Sequence, residues 1–66
     1  MQVTVNGHLR EIRAGTSITE LLQLLDLDPR FLAVERNRQL VPRKEHPDCR
    51  LEPGDEIEIV TLVGGG

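Results

Sequence analysis

Residues 2–25 read QVTVNGHLREIRAGTSITELLQLL, and this stretch decides the fold because it places a β-hairpin directly before one amphipathic helix. Val3 and Val5 alternate with polar residues, which is the pattern of a strand with one buried face. Asn6-Gly7 follows and favours a type I′ turn, because both turn positions need a positive φ. The chain therefore begins with a strand that turns back on itself.

The return strand is less regular than the first. We expect it over His8–Arg13, where Leu9 and Ile12 are three residues apart. This spacing departs from a period of two, and a β-bulge would reconcile it. The sequence thus predicts a hairpin whose second strand is bulged.

The helix has a recognisable start and end. Ser17 and Glu20 have the spacing of a capping box, in which each side chain binds the other residue's backbone amide. The helix should end near Asp26, because Pro29 disfavours helical geometry in the residue before it. Between these limits, apolar residues at helical spacing form one face: Ile18, Leu21, Leu22 and Leu25, bordered by Leu24 and Leu27.

The second half of the chain reads as three short strands joined by turns. The predicted elements are a strand at Phe31–Glu35, a turn at Asn37-Arg38, an edge strand at Gln39–Val41 stopped by Pro42, a loop over 43–50 with one helical turn near Glu45-His46, a core anchor at Leu51, a turn at 52–55, and a last strand at Glu56–Val63. The order ββαβββ predicts an α+β fold, a mixed sheet of four to five strands with one helix packed on one face. We expect one domain, residues 1–63, and a flexible C-terminal glycine tail, residues 64–66.

The last strand changes character along its length. Its first half alternates between glutamate and isoleucine, whereas residues 60–63 are apolar on both faces. Such a strand end predicts either a central position in the sheet or an exposed apolar patch that binds a partner. Val60 and Leu62 are the candidate partner-binding residues.

Composition limits the function classes. The net charge is −3, Lys44 is the only lysine, and Phe31 is the only aromatic residue, which argues against nucleic-acid binding. Cys49 is alone and cannot form an internal disulfide, and no apolar run is long enough to suggest a membrane span. These features predict a cytoplasmic protein that binds neither nucleic acid nor membrane.

Gly64, Gly65 and Gly66 form the strongest candidate site. Residues without a Cβ can enter a narrow channel and adopt backbone angles that other residues avoid. The carboxylate at the tip is ionised at neutral pH and is a poor electrophile, so its chemical use requires activation by another protein. The alternative is that the glycines are only a frayed end.

Other candidates are weaker. His8, His46 and Cys49 show no metal-ligand spacing, and no activating base is identified for the thiol. The acidic residues near the last strand form either a solvated face or a docking patch for a basic partner: Glu52, Asp55, Glu56 and Glu58.

Several segments together resemble the thiamine-biosynthesis sulfur carriers of the ThiS family, which are ubiquitin-like β-grasp proteins. These segments are residues 1–7 (MQVTVNG), the helix around Leu21-Leu22, residues 34–37 (VERN) followed by 40–42 (LVP), residues 53–59 (PGDEIEI), and the ending 59–66 (IVTLVGGG). The resemblance covers nearly the whole chain. One departure from the family is the basic, histidine-containing loop over 43–50.

The resemblance implies a fold and a chemistry. The first and last strands would pair in parallel at the sheet centre. An E1-like adenylyltransferase of the ThiF type would use MgATP to adenylate Gly66, and sulfur from a cysteine desulfurase or another persulfide donor would convert the adenylate to a thiocarboxylate. Thiazole synthase would then take the sulfur. The carrier would bind no cofactor and would have no catalytic residues of its own.

Three alternatives stay open at this point. A molybdopterin synthase small subunit has the same kind of tail, although those chains are usually longer and richer in aromatic residues near the end. A ubiquitin-like modifier would be joined to lysines of target proteins. A non-covalent interaction module would leave its glycines unused.

Overall fold

The computed structural model describes residues 1–62. The strands are β1 (Gln2–Val5), β2 (His8–Glu11), β3 (Leu32–Arg36), β4 (Gln39–Val41) and β5 (Glu56–Thr61), the helix is α1 (Ile18–Leu24), and two 3-10 segments span Pro29–Phe31 and Arg43–Asp48. The strands form one mixed sheet in the order β2-β1-β5-β3-β4. β1 and β5 are parallel at its centre, as the resemblance implies, and the α+β architecture is confirmed.

The hairpin prediction is correct, but the predicted bulge is wrong. Asn6 and Gly7 both have a positive φ, of 51° and 82°. The pairing of β1 with β2 then runs without interruption from Val5 opposite His8 to Gln2 opposite Glu11. Leu9 and Ile12 lie on opposite faces: Leu9 is 70% exposed, and Ile12, just after the strand, is buried. Residues three apart face opposite sides of a regular strand, so no extra residue is needed.

The helix begins with the predicted capping box. The Ser17 hydroxyl accepts from the Glu20 amide at 3.1 Å, and the Glu20 carboxylate accepts from the Ser17 amide at 2.8 Å. The hydrogen bond from the Ser17 amide to the carboxylate lowers the pKa of the Glu20 carboxyl from its usual value. The polar groups at the helix start are therefore satisfied by the two residues that the sequence indicates.

The helix ends at a Schellman motif rather than through the influence of the proline. Leu25 is the C-cap, and Asp26 takes a left-handed conformation with φ 58°. The Asp26 and Leu27 amides donate to the Gln23 and Leu22 carbonyl oxygens at 3.1 and 2.9 Å. α1 thus ends at Leu24, close to the predicted end near Asp26, and the left-handed conformation of Asp26 supplies the physical reason.

The second half of the chain follows the predicted order with small shifts. Phe31 belongs to a 3-10 segment, so the third strand begins one residue later than expected. Asn37 and Arg38 form the turn, both with positive φ, and β4 is an edge strand. The loop over 43–50 contains the 3-10 segment Arg43–Asp48.

The core lies between α1 and one face of the sheet. Its buried apolar residues are Val3, Val5, Ile12, Ile18, Leu21, Leu22, Leu32, Val34, Leu51, Ile57 and Ile59. The core anchor predicted at Leu51 is confirmed. Within residues 1–62, no helix is long and apolar enough to cross a membrane.

Candidate functional site

The strand that leads to the glycine tail lies at the centre of the sheet. β5 pairs with β1 on one side and with β3 on the other, where Leu32 is opposite Thr61. The Leu62 amide continues this side by donating to the Phe31 carbonyl oxygen at 2.7 Å. Gly64, Gly65 and Gly66, and the boundary predicted between residues 63 and 64, lie outside the described residues.

Asn6 binds β5 beyond the point where β1 turns away. The Asn6 backbone amide donates to Ile57 O at 2.8 Å. Its side-chain Oδ1 accepts from Ile59 N at 2.7 Å, and its Nδ2 donates to Ile59 O at 3.2 Å. The sequence identified Asn6 only as a turn residue, and the alternation of the last strand gave no signal for this contact across 53 positions.

The outer face of β5 carries an exposed apolar surface near the tail. Val60 is 53% exposed and Leu62 is 58% exposed, and Phe31 beside them is 59% exposed. Ala33 lies directly opposite Val60 on β3. We call these four residues the tail-proximal patch. The doubly apolar strand end thus has both features that were set as alternatives, a central position and an exposed apolar surface.

Arg30 lies over the Phe31 ring at one side of this patch. Its guanidinium lies 5.2 Å from the centre of the Phe31 ring, within the range of a cation–π contact. Asp28 accepts from Arg30 Nη2 at 2.7 Å and from Arg30 Nε at 3.1 Å. The Arg30 hydrogen bonds to the side chain hold the pKa of the Asp28 carboxyl below its usual value.

The acidic surface differs from the one predicted. Glu56 and Glu58 are exposed on the outer face, next to the tail-proximal patch, and Glu58 lies directly opposite Glu35 on β3. Asp55, by contrast, is buried, so its assignment to a solvated acidic cluster is wrong. The exposed carboxylates of this surface are therefore Glu56 and Glu58, and the half-buried Glu35 lies beside them on β3.

The Asp55 carboxylate anchors the entry to β5. It accepts from Arg36 Nε at 2.8 Å, from Asn37 Nδ2 at 3.1 Å and from the Glu52 amide at 2.8 Å. Burial alone would raise the pKa of Asp55, but these three hydrogen bonds outweigh it and hold the pKa below the usual value. The turn between β3 and β4 is thereby joined to the turn before β5.

The histidines and the cysteine do not come together. His8 is exposed on β2, whereas His46 is buried with its Nε2 3.1 Å from the Val41 carbonyl oxygen. Cys49 is half-buried, with its Sγ 3.6 Å from Arg36 Nη1. Within residues 1–62, no three His, Cys, Asp or Glu side chains are grouped so that they could hold a metal ion.

An open groove of about 850 Å³ lies beside the last residues of β5. It separates β1 and β2 from the segment that follows α1. The lining residues include Asn6, His8, Leu25, Leu27, Ile59 and Thr61. The β1 side of the strand end therefore borders a groove, and not another strand.

Comparison with known proteins places the chain in a family. Residues 3–66 match the ThiS family. The sulfur carrier protein ThiS of Escherichia coli (strain K12) is 32% identical over 66 residues, which is the whole of both chains. A crystal structure of a thiamine biosynthesis protein (ThiS) from Geobacter metallireducens has a TM-score of 0.87 and 29% identity, and the match covers both chains in full.

A second kind of relative is much longer. A thiazole synthase of Paramagnetospirillum magneticum is 38% identical over 66 residues, and one of Magnetococcus marinus is 38% identical over the same length. This chain spans 20% of the length of each of these thiazole synthases. The family match over residues 3–66, together with the shared fold and the full-length likeness to a sulfur carrier, shows that this chain belongs to the ThiS family.

Proposed function

We propose that this protein is a sulfur carrier for thiazole formation in thiamine biosynthesis, with the carboxylate of Gly66 as the group that is modified. The observation that carries the proposal is membership of the ThiS family over residues 3–66, a range that includes all three glycines of the tail. The protein would act as a co-substrate of other enzymes.

The chemistry begins with activation. The Gly66 carboxylate attacks the α-phosphorus of ATP in an adenylyltransferase of the ThiF type, and pyrophosphate leaves. Mg²⁺ belongs to the partner's site and neutralises the phosphates there. The mixed anhydride is a far better electrophile than the carboxylate, because its leaving group is AMP.

Sulfur then replaces the adenylate. The terminal sulfur of a cysteine desulfurase persulfide attacks the activated carbonyl and displaces AMP, which leaves the carrier joined to the donor through an acyl disulfide. A second thiol cleaves the S–S bond, becomes oxidised to a disulfide, and releases the thiocarboxylate. Thiazole synthase takes this sulfur. The carrier's tail is the substrate in each step.

The fold supports this role by the position of its exposed surfaces. The tail-proximal patch lies at the end of the strand that leads to Gly66, and we propose that Val60 and Leu62 bind the adenylyltransferase while the tail enters its active site. The exposed carboxylates of Glu56 and Glu58 adjoin the patch and would favour a partner with basic groups at the rim.

The long relatives support a direct relation with thiazole synthase. Two thiazole synthases contain a segment like this whole chain within one polypeptide. A domain that shares a chain with an enzyme is held near it at high effective concentration. We propose that this chain delivers its sulfur to a thiazole synthase.

Intact-mass analysis tests the proposal. The protein is incubated with an adenylyltransferase of the ThiF type, MgATP, a cysteine desulfurase with cysteine, and a thiol. The expected product carries one sulfur in place of one oxygen, and fragmentation places the change at Gly66. A chain that lacks Gly66 is the matched control and should keep its mass.

Other outcomes would identify another function. An unchanged mass with partners that modify the Escherichia coli ThiS protein in parallel would contradict the proposal. Lysine-linked conjugates in an extract of the source cells would favour a protein modifier. Sulfur transfer to a molybdopterin precursor, with none to thiazole, would favour the other carrier class.

A further inference from the structure

The backbone pairing between β1 and β5 stops before β5 ends. Its last backbone hydrogen bond on this side joins the Asn6 amide to Ile57 O at 2.8 Å. β1 then enters the hairpin turn, so no strand residue is left to pair with Ile59 on that side. The Asn6 side chain fills this position, with Oδ1 2.7 Å from Ile59 N and Nδ2 3.2 Å from Ile59 O.

The chemistry of this contact requires a primary amide. An asparagine amide carries an acceptor oxygen and an NH₂ donor side by side, and so it can bind the N–H and C=O of one residue together. Asparagine also tolerates the φ of 51° that the turn imposes here. The side chain thus extends the β1–β5 pairing by one residue without extending the strand.

The contact lies directly before the part of β5 that is paired on one side only. On the β3 side, Val60 and Thr61 are paired with Ala33 and Leu32. On the β1 side, Ile59 and Thr61 border the open groove. Among the described residues, the Asn6 amide therefore makes the last hydrogen bonds to the β1 side of this strand before the tail-proximal patch.

We propose that Asn6 is a positioning residue, whose side-chain amide fixes the end of β5 so that the tail-proximal patch and the glycine tail are presented together to the adenylating partner. The inference rests on the proposed function for its second half. When the end of β5 is held on the β3 side only, it is misplaced in part of the protein population. The apparent affinity for the partner is then reduced in proportion to the fraction of molecules whose strand end is correctly placed.

Two variants isolate the amide. Asn6→Gly keeps the turn, because glycine adopts positive φ freely, but removes the side chain. Asn6→Asp keeps the shape and the acceptor, but it replaces the donor with an ionised oxygen that faces the Ile59 carbonyl. Ile12→Val is the control, because it weakens the core by a small amount at a residue outside β5 and leaves both Asn6 hydrogen bonds in place.

Two measurements test the proposal, amide exchange at Ile59 and the kinetics of adenylation. Asn6→Gly removes both hydrogen bonds to Ile59, so its Ile59 amide should exchange with solvent on the order of ten-fold faster than in the Ile12→Val control. Asn6→Asp keeps the acceptor for this amide, so its exchange should rise by a smaller factor. In the pyrophosphate-release assay with a ThiF-type enzyme, KM should rise on the order of ten-fold with kcat retained, while the control keeps both values.

Two results would overturn the inference. Exchange at Ile59 in Asn6→Gly that is no faster than in the control would show that Asn6 does not hold the strand. Faster exchange with an unchanged KM would show that the contact has no role in presentation. If the wild-type chain is not adenylated at all, the proposed function fails and the presentation role fails with it, whereas the exchange measurement still decides whether Asn6 holds β5.

Discussion

Replacement of Asp55 by asparagine exchanges one carboxylate oxygen for an NH₂ group and changes almost nothing in size. The oxygen Oδ2 accepts from Arg36 and from the Glu52 amide, and Oδ1 accepts from Asn37 Nδ2. An asparagine at this position must point its NH₂ group either at the Arg36 and Glu52 donors or at the Asn37 donor. Asn37 cannot flip to match it, because its own Oδ1 accepts from the Glu56 amide at 2.9 Å. At least one of these donors therefore loses its acceptor on residue 55.

The magnitude follows from the burial of these groups. A hydrogen bond to a charged group contributes about 1.5–3 kcal/mol. The Asp55 side chain is 8% exposed, but the Arg36 side chain is 26% exposed and partly solvated, so we expect a loss near the lower end, about 2 kcal/mol. A chain of this size has a total unfolding free energy of roughly 3–10 kcal/mol, so the loss would be large.

The assay is urea unfolding of wild type and Asp55→Asn at pH 7 and at pH 2.5. The pKa of folded Asp55 lies below its usual value, so its contribution is present above the unfolded pKa of about 3.9. It is lost as the pH falls through the lower, folded value. The difference between the two proteins should therefore be about 2 kcal/mol at pH 7 and much smaller at pH 2.5.

A control separates burial from charge. Glu52→Gln also removes a carboxylate near Arg36, at 3.5 Å, but the Glu52 side chain is 73% exposed, so we expect less than about 0.5 kcal/mol. A loss for Asp55→Asn that is no larger than this, or a loss that stays the same at both pH values, would refute the reasoning.

Three further predictions follow from exposed positions. Asp26→Gly should raise the free energy of unfolding by about 0.5–1 kcal/mol, because glycine takes the left-handed C′ position without strain, and a lower melting temperature would contradict this. Leu62→Glu should leave unfolding within about 0.5 kcal/mol of wild type yet weaken adenylation, whereas Leu24→Glu, at an equally exposed site on the helix, should leave adenylation unchanged. Equal effects of the two variants on adenylation would show that the patch does not bind the partner. Glu58→Lys should stabilise the fold by about 0.2–1 kcal/mol in a urea titration, since it replaces a like-charge pair with Glu35 by an opposite-charge pair, and no gain would mean that the two carboxylates do not interact.

The features that could be predicted from the sequence are those set by neighbouring residues. The alternation of Val3 and Val5, the Asn6-Gly7 turn and the Ser17–Glu20 capping box each depend on a few adjacent positions, and each is present. The same local reasoning failed for Leu9, because an exposed leucine was taken to belong to the core face. The spacing of Leu9 and Ile12 assigns them to faces of the strand only once it is known which of the two is buried.

The features that could not be predicted join distant parts of the chain. The parallel pairing of β1 with β5 came from the family resemblance and not from the pattern, since no local signal specifies which strands meet. Charge in the sequence does not reveal burial, so Asp55 was grouped with exposed glutamates although Arg36 holds it inside. The contact between the Asn6 amide and Ile59 could not be predicted either, because 53 positions separate the two residues.

Sulfur tracing tests the central claim most directly. The carrier is charged with isotopically labelled sulfur from a labelled persulfide, separated from the donor, and then supplied to a thiazole synthase with its other substrates. The account predicts that the label leaves Gly66 and appears in the thiazole ring, with one labelled atom for each carrier consumed. Label that stays on the carrier, or thiazole made without label, would contradict it.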